Sequence, residues 1–129
     1  MRKCLSLLFL FLISNVLSQE NDYFIDANFD LNNRIIEIYQ TIDFTNTTSN
    51  NLNYIILNDW AHSYFRPTTP LGKRLSEDFT LNFQRSTKNQ RGFTTIIDIK
   101  SDSTILDHTR LKENIDLVKV KLKNLLKPN

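Results

Sequence analysis

The amino-acid sequence predicts a mainly β protein: an antiparallel β-sandwich or saddle-like sheet with one inserted α-helix at about residues 69–85, behind a signal peptide. Three observations lead to this class. Apolar and polar residues alternate with a period of two over several segments, the mark of half-buried strands. Polar clusters rich in Asn, Asp, Ser and Thr separate those segments as turns. Between residues 69 and 85 alone, the apolar period lengthens to four.

Each element follows from its residues. In residues 23–29, Tyr23, Ile25, Ala27 and Phe29 share one face against Phe24, Asp26 and Asn28. Asp30, Asn32 and Asn33 form a turn, and residues 35–44 return as a strand with Ile36, Ile38, Ile42 and Phe44 on one face. The short polar link predicts an antiparallel hairpin. Residues 45–51 are a polar loop, and residues 52–57 form a third strand rich in β-branched and aromatic side chains. Thr69 caps a helix with Pro70 in its first turn. Leu71, Leu75, Phe79 and Phe83 predict an apolar stripe along it, ending near Arg85. Residues 93–100 and 115–122 are expected to be the last two strands. Leu125 and Leu126, followed by Lys127, Pro128 and Asn129, read as the lead into a further strand. The sheet is therefore expected to stop with an open edge, and the chain to be a fragment, marginally folded by itself.

Residues 1–18 read as the signal peptide. Arg2 and Lys3 give a basic start, and Leu5, Leu7 to Leu10 and Phe11 to Ile13 an apolar run. Val16 and Ser18 sit at the small-residue positions before a cut ahead of Gln19. The run is about half the roughly 20 residues that a spanning helix needs. The domain reading is thus a signal at 1–18 and a partial N-terminal β domain at 19–129. The mature chain is expected to be exported without a transmembrane span: periplasmic, outer-surface or secreted. The only cysteine, Cys4, falls in the signal, so the mature protein has neither a disulfide nor a thiol nucleophile. Sixteen Lys and Arg face 14 Asp and Glu, and Arg2 and Lys3 account for the net charge of +2. A neutral mature chain carries no footprint for nucleic acid.

Candidate chemistry is sparse. His62 and His108 lie far apart and neither sits in a metal-ligand pair. Gly72-Lys73-Arg74 lacks the earlier glycine and following hydroxyl of a phosphate loop. Glu77 and Asp78 are neighbours about 100° apart on a helix, poorly placed as a catalytic pair. Lys119, Lys121, Lys123 and Lys127 form a basic stretch that reads as a strand with solvent-facing lysines guarding an edge. Asn46-Thr47-Thr48 matches a glycosylation acceptor in a polar loop. Trp60, Tyr64 and Phe65 cluster after the third strand, where packing under a loop is favoured over a sugar-stacking platform.

The stretch Arg34-Ile35-Ile36-Glu37-Ile38-Tyr39-Gln40-Thr41-Ile42-Asp43-Phe44, a polar loop, and Leu52-Asn53-Tyr54-Ile55-Ile56-Leu57-Asn58-Asp59-Trp60 resemble the opening of a known domain. That domain is the N-terminal β domain of the gluzincin metallopeptidases, the membrane alanyl aminopeptidase and leukotriene hydrolase family. Thr68-Thr69-Pro70-Leu71-Gly72-Lys73-Arg74-Leu75 and Arg91-Gly92-Phe93-Thr94-Thr95-Ile96 resemble its exported Bacteroidetes branch, which inserts a helix here. The resemblance implies a parent that removes amino-terminal residues from peptides, using zinc held by His-Glu-x-x-His and a downstream Glu. A Gly-x-Met-Glu-Asn strand would bind the substrate amine. None of these motifs occurs in this sequence, so the catalytic, cofactor-binding and metal assignments are none, and zinc is implied only for the full-length parent. The implied partners are the C-terminal catalytic domain of the same polypeptide and peptide substrates. The alternative is a free-standing secreted β-sandwich module that binds a protein or a glycan.

Overall fold

The computed structural model describes residues 21–79 and 81–129, so the signal-peptide reading of residues 1–18 lies outside the described residues. The protein is mainly β, and every strand pairing is antiparallel. The chain divides into two compact units, one running up to Ser49 with Pro128–Asn129 and the other Asn50–Lys127.

The first unit is a hairpin of β1 (Asp22–Asp30) and β2 (Ile35–Asp43). Its register sets Tyr23 opposite Ile42, Ala27 opposite Ile38 and Phe29 opposite Ile36. Directly opposed residues share a face, so the two apolar sides expected from the alternation merge into one. Gln40, opposite Ile25, is the only polar residue on that face between Tyr23 and Phe29. Among the described residues nothing in the unit buries this face: Ile25, Phe29, Ile36 and Ile38 all remain more than half exposed. The turn is built by Asp30, whose carboxylate accepts from the Asn32 and Asn33 N–H groups and from Asn33 Nδ2, the last at 2.7 Å. Those bonds, led by the Asn33 side chain, hold the Asp30 carboxyl below its usual range. Arg34 closes the turn in the left-handed region, with φ of 57°.

The second unit is organised around a three-stranded sheet of β3 (Leu52–Asn58), β6 (His108–Arg110) and β7 (Leu117–Leu126), with β7 in the middle. A two-stranded ribbon, β4 (Lys100–Ser101) with β5 (Thr104–Ile105), lies before β6 in sequence. On the inner face of the sheet Val118 and Val120 are fully buried. Ile55 and Leu57 pair with them from β3 and pack against the same cluster, together with Leu106, Ile96, Ile99 and Leu122. Each fully buried valine contributes roughly 1.5–3 kcal/mol.

Four expectations are corrected here. The helix at 69–85 is two pieces, α1 (Pro70–Glu77) and α2 (Leu81–Arg85). Phe79 turns the chain between them with φ of 57° and is 89% exposed, so it leaves the stripe. Residues 93–100 are not a paired strand until Lys100. The Thr94 N–H and C=O are served by side chains, His62 Nδ1 and Arg110, so no neighbouring strand is needed there. The last strand, expected at 115–122, is β7 at Leu117–Leu126, so Leu125 and Leu126 lie within it and Leu126 pairs with Leu52. Finally, β7 is not an edge. It is flanked by β3 and β6, so its lysines do not guard an unpaired strand.

The 3-10 helix Trp60–Phe65 and α1 are joined through Thr69. This buried N-cap donates its hydroxyl to the Ser63 carbonyl at 2.7 Å and accepts the Gly72 N–H at 3.1 Å. Gln84 of α2 donates to the Gly72 carbonyl at 2.6 Å and folds the second helix back on the first.

Candidate functional site

Two polar constellations stand out in the second unit. The first gathers residues from distant parts of the sequence. Arg110 on β6 donates through Nη2 to Asp59 Oδ2 at 2.6 Å, and through Nη1 to the Ile115 carbonyl at 2.9 Å. Thr94 donates its hydroxyl to Asp59 Oδ1 at 2.9 Å. The Thr94 N–H donates to His62 Nδ1 at 3.2 Å. Nδ1 also lies 3.0 Å from the Thr94 carbonyl oxygen, so it accepts from the N–H in one tautomer and donates to the C=O in the other. His62 stacks on Phe65 with ring centroids 5.2 Å apart, and Phe65 meets Phe93 edge-on. Burial, followed by the Arg110 cation, holds the His62 pKa below the usual imidazole range.

This cluster has the residue types of an acid–base site without its connectivity. A nucleophile must hydrogen-bond to a base that a third group orients. Here the Thr94 hydroxyl faces Asp59, not His62, and both Asp59 oxygens are already occupied. The arrangement acts as a clamp. It ties the end of β3, the extended segment at Thr94 and β6 into one body, with the ion pair mostly removed from water.

The second constellation lies on the opposite, open face of the sheet. Because Val118 and Val120 point inward, Lys119 and Lys121 point outward. Tyr54 stands opposite Lys121, and Thr109 opposite Lys119. The Lys119 ammonium lies 4.0 Å from the centre of the Tyr54 ring. The pairing of β3 with β7 slips between Leu52 and Tyr54, so Asn53 faces a β-bulge formed by the residues after Lys121. The bulge opens a cavity of about 360 Å³ lined by Asn53, Tyr54, Thr109, Lys119, Lys121 and Leu122, with Asp107 at the side.

The remaining sequence candidates are dispersed. The aromatic cluster splits: Tyr64 packs edge-on against Phe83 of α2, Phe65 joins His62 and Phe93, and Trp60 is half exposed. His108 lies on β6 apart from the His62 cluster. Among the described residues, no three His, Cys, Asp or Glu side chains come together as a metal-holding group. Asn46 of the glycosylation pattern is only 2% exposed, and its side-chain Oδ1 accepts from both the Thr48 N–H and the Thr48 hydroxyl. Sequence reasoning missed Arg110, Asp59 and Thr94, which bond to one another across 16 to 51 residues of sequence. It also missed the cavity, although Lys119 and Lys121 alternating with two valines were its one legible trace. Comparison with protein-family profiles, with curated proteins and with solved structures finds no significant match for this chain.

Proposed function

We propose that this chain is the non-catalytic N-terminal β portion of an exported zinc-dependent aminopeptidase, where it packs beside the catalytic domain and helps to wall the peptide chamber. The observation that carries the reading is the hairpin face. Tyr23, Ile25, Phe29, Ile36 and Ile38 form a continuous apolar surface that the hairpin itself cannot bury. A two-stranded hairpin is marginal in water without a packing partner. The strands that carry the gluzincin resemblance, β2 and β3, support the reading from sequence. In this reading zinc and the amine-binding group belong to the catalytic domain, and residues of this chain supply scaffold.

The test is to sequence the transcript beyond the Asn129 codon. The expected result is an open frame that continues into His-Glu-x-x-His. An in-frame stop directly after Asn129 overturns the reading. The purified chain is also expected to release no amino-terminal residue from aminoacyl anilides, and zinc-dependent release by the chain alone would count against a scaffold role.

A further inference from the structure

We infer that the open face of the three-stranded sheet holds a binding site for a small organic monocarboxylate, seated in the cavity at the β7 bulge. The inference does not depend on the aminopeptidase reading. It rests on the second unit alone.

The cavity, about 360 Å³, falls within the range of roughly 300–1,000 Å³ typical of small-molecule sites. Its walls come from all three strands, Tyr54 from β3, Thr109 from β6 and the lysines from β7, so the pairing itself fixes their spacing. Lys119 and Lys121 are two residues apart on the same face, which sets their Cα atoms roughly 7 Å apart. Among the described residues neither forms an ion pair. Since β7 is the central strand, these charges do not protect a sheet edge. Two like charges held side by side leave a positive patch that an anion would neutralise.

The ligand class follows from the other walls. Leu122, which packs against the core, also borders the cavity, as does Tyr54. These two surfaces favour an apolar or aromatic body, which an inorganic oxyanion does not have. Asp107 lies two residues before Thr109 and borders the same cavity, and its backbone carbonyl accepts the Lys121 N–H. One carboxylate against two ammonium groups leaves a local excess of one positive charge, matched to a monoanion and not to a dianion. The Thr109 hydroxyl, opposite Lys119, is placed to donate to a carboxylate oxygen, and the Tyr54 ring holds the Lys119 ammonium at the cavity.

The experiment is a titration of the ¹⁵N-labelled full chain followed by amide chemical shifts, with 3-phenylpropanoate, its neutral analogue 3-phenylpropanamide, and inorganic phosphate as separate probes. Saturating shifts centred on Asn53, Tyr54, Thr109, Lys119 and Lys121 are expected with the carboxylate. The amide and phosphate should bind at least about tenfold more weakly. Lys119→Gln and Lys121→Gln should each weaken binding about fivefold or more, and Tyr54→Leu about threefold. These side chains are on the solvent face, so the spectra should otherwise stay native. The inference is overturned if no saturable change reaches these residues up to about 20 mM carboxylate. It is equally overturned if the amide or phosphate binds as tightly, or if the double lysine variant binds unchanged.

Discussion

Replacing Gly72 by alanine sets two ordinary rules against each other. Helix propensity favours alanine by up to about 1 kcal/mol. Packing opposes it. A Cβ at Gly72 would lie 2.1 Å from the Pro67 carbonyl oxygen, 2.5 Å from its carbon and 2.9 Å from its Cα. Ordinary contacts are nearer 3.5 Å, so relief needs a shift on the order of 1 Å. Neither side gives easily. The obstacle is backbone, and Thr69 locks the first turn of α1 to the Ser63 carbonyl. Forced overpacking costs about 1–3 kcal/mol, and a stretched cap bond adds about 1 kcal/mol. The net expectation for Gly72→Ala is a loss of about 1–3 kcal/mol, read by urea unfolding at constant slope. Gly92 is the internal control. A Cβ there meets nothing within 4 Å, so Gly92→Ala should be neutral or stabilise by up to about 1 kcal/mol. A Gly72→Ala chain as stable as the wild type would refute the packing argument, as would equal losses at both glycines.

Five further outcomes are expected. Thr69→Val should cost about 1–3 kcal/mol, because it strips the Gly72 N–H and the Ser63 carbonyl of a buried partner. Ser63→Ala, by contrast, should change stability by less than about 1 kcal/mol, since the buried Ser63 hydroxyl has no partner to lose; calorimetry on the two variants separates them. Asp59→Asn should cost about 3 kcal/mol in denaturant melts by leaving the Arg110 guanidinium unpaired in a mostly buried site, and a cost below about 0.5 kcal/mol would show the clamp to be dispensable. His62 should titrate below about 6.5 by proton NMR. A histidine with a depressed folded pKa supports the fold fully above its unfolded value, and that support is lost as pH falls through the lower, folded one. Arg110→Gln should move the His62 midpoint upward, because the Arg110 cation is the second cause of the depression. No movement would remove Arg110 from that account.

The sequence was most legible where local pattern and long-range pairing agree. In the hairpin, the alternation of Tyr23, Ile25, Ala27 and Phe29 predicts a face, and the register with Ile36, Ile38 and Ile42 uses that same face. Thr69 and Pro70 start α1 as expected, because capping is a local matter. The break after Glu77 was hidden by the four-residue spacing of Leu71, Leu75, Phe79 and Phe83. Each step of four advances about 40° around a helix, so Leu71 and Phe83 are about 120° apart, at the two edges of one apolar face. The helix is divided instead, and Phe79 is left in solvent. Residues 93–100 misled for a different reason. Ile96 and Ile99 reach the core while Ile97 is 86% exposed, a spacing of three set by His62 and Arg110 gripping Thr94. The cavity depends on strand order and on the closure of Leu126 onto Leu52. Neither is written in any short window of residues.

The central position of β7 also governs how the second unit comes into being. β3 and β6 have no contact in the sheet except through β7, the last of the three to leave the ribosome. About sixty residues separate Asn58 from Leu117, which is roughly 3–12 s of synthesis. Through that interval Ile55 and Leu57 have no valines to bury against. Nascent chains bearing this segment should therefore require a holding chaperone, and assembly should be a single late event with the slow kinetics of distant contacts.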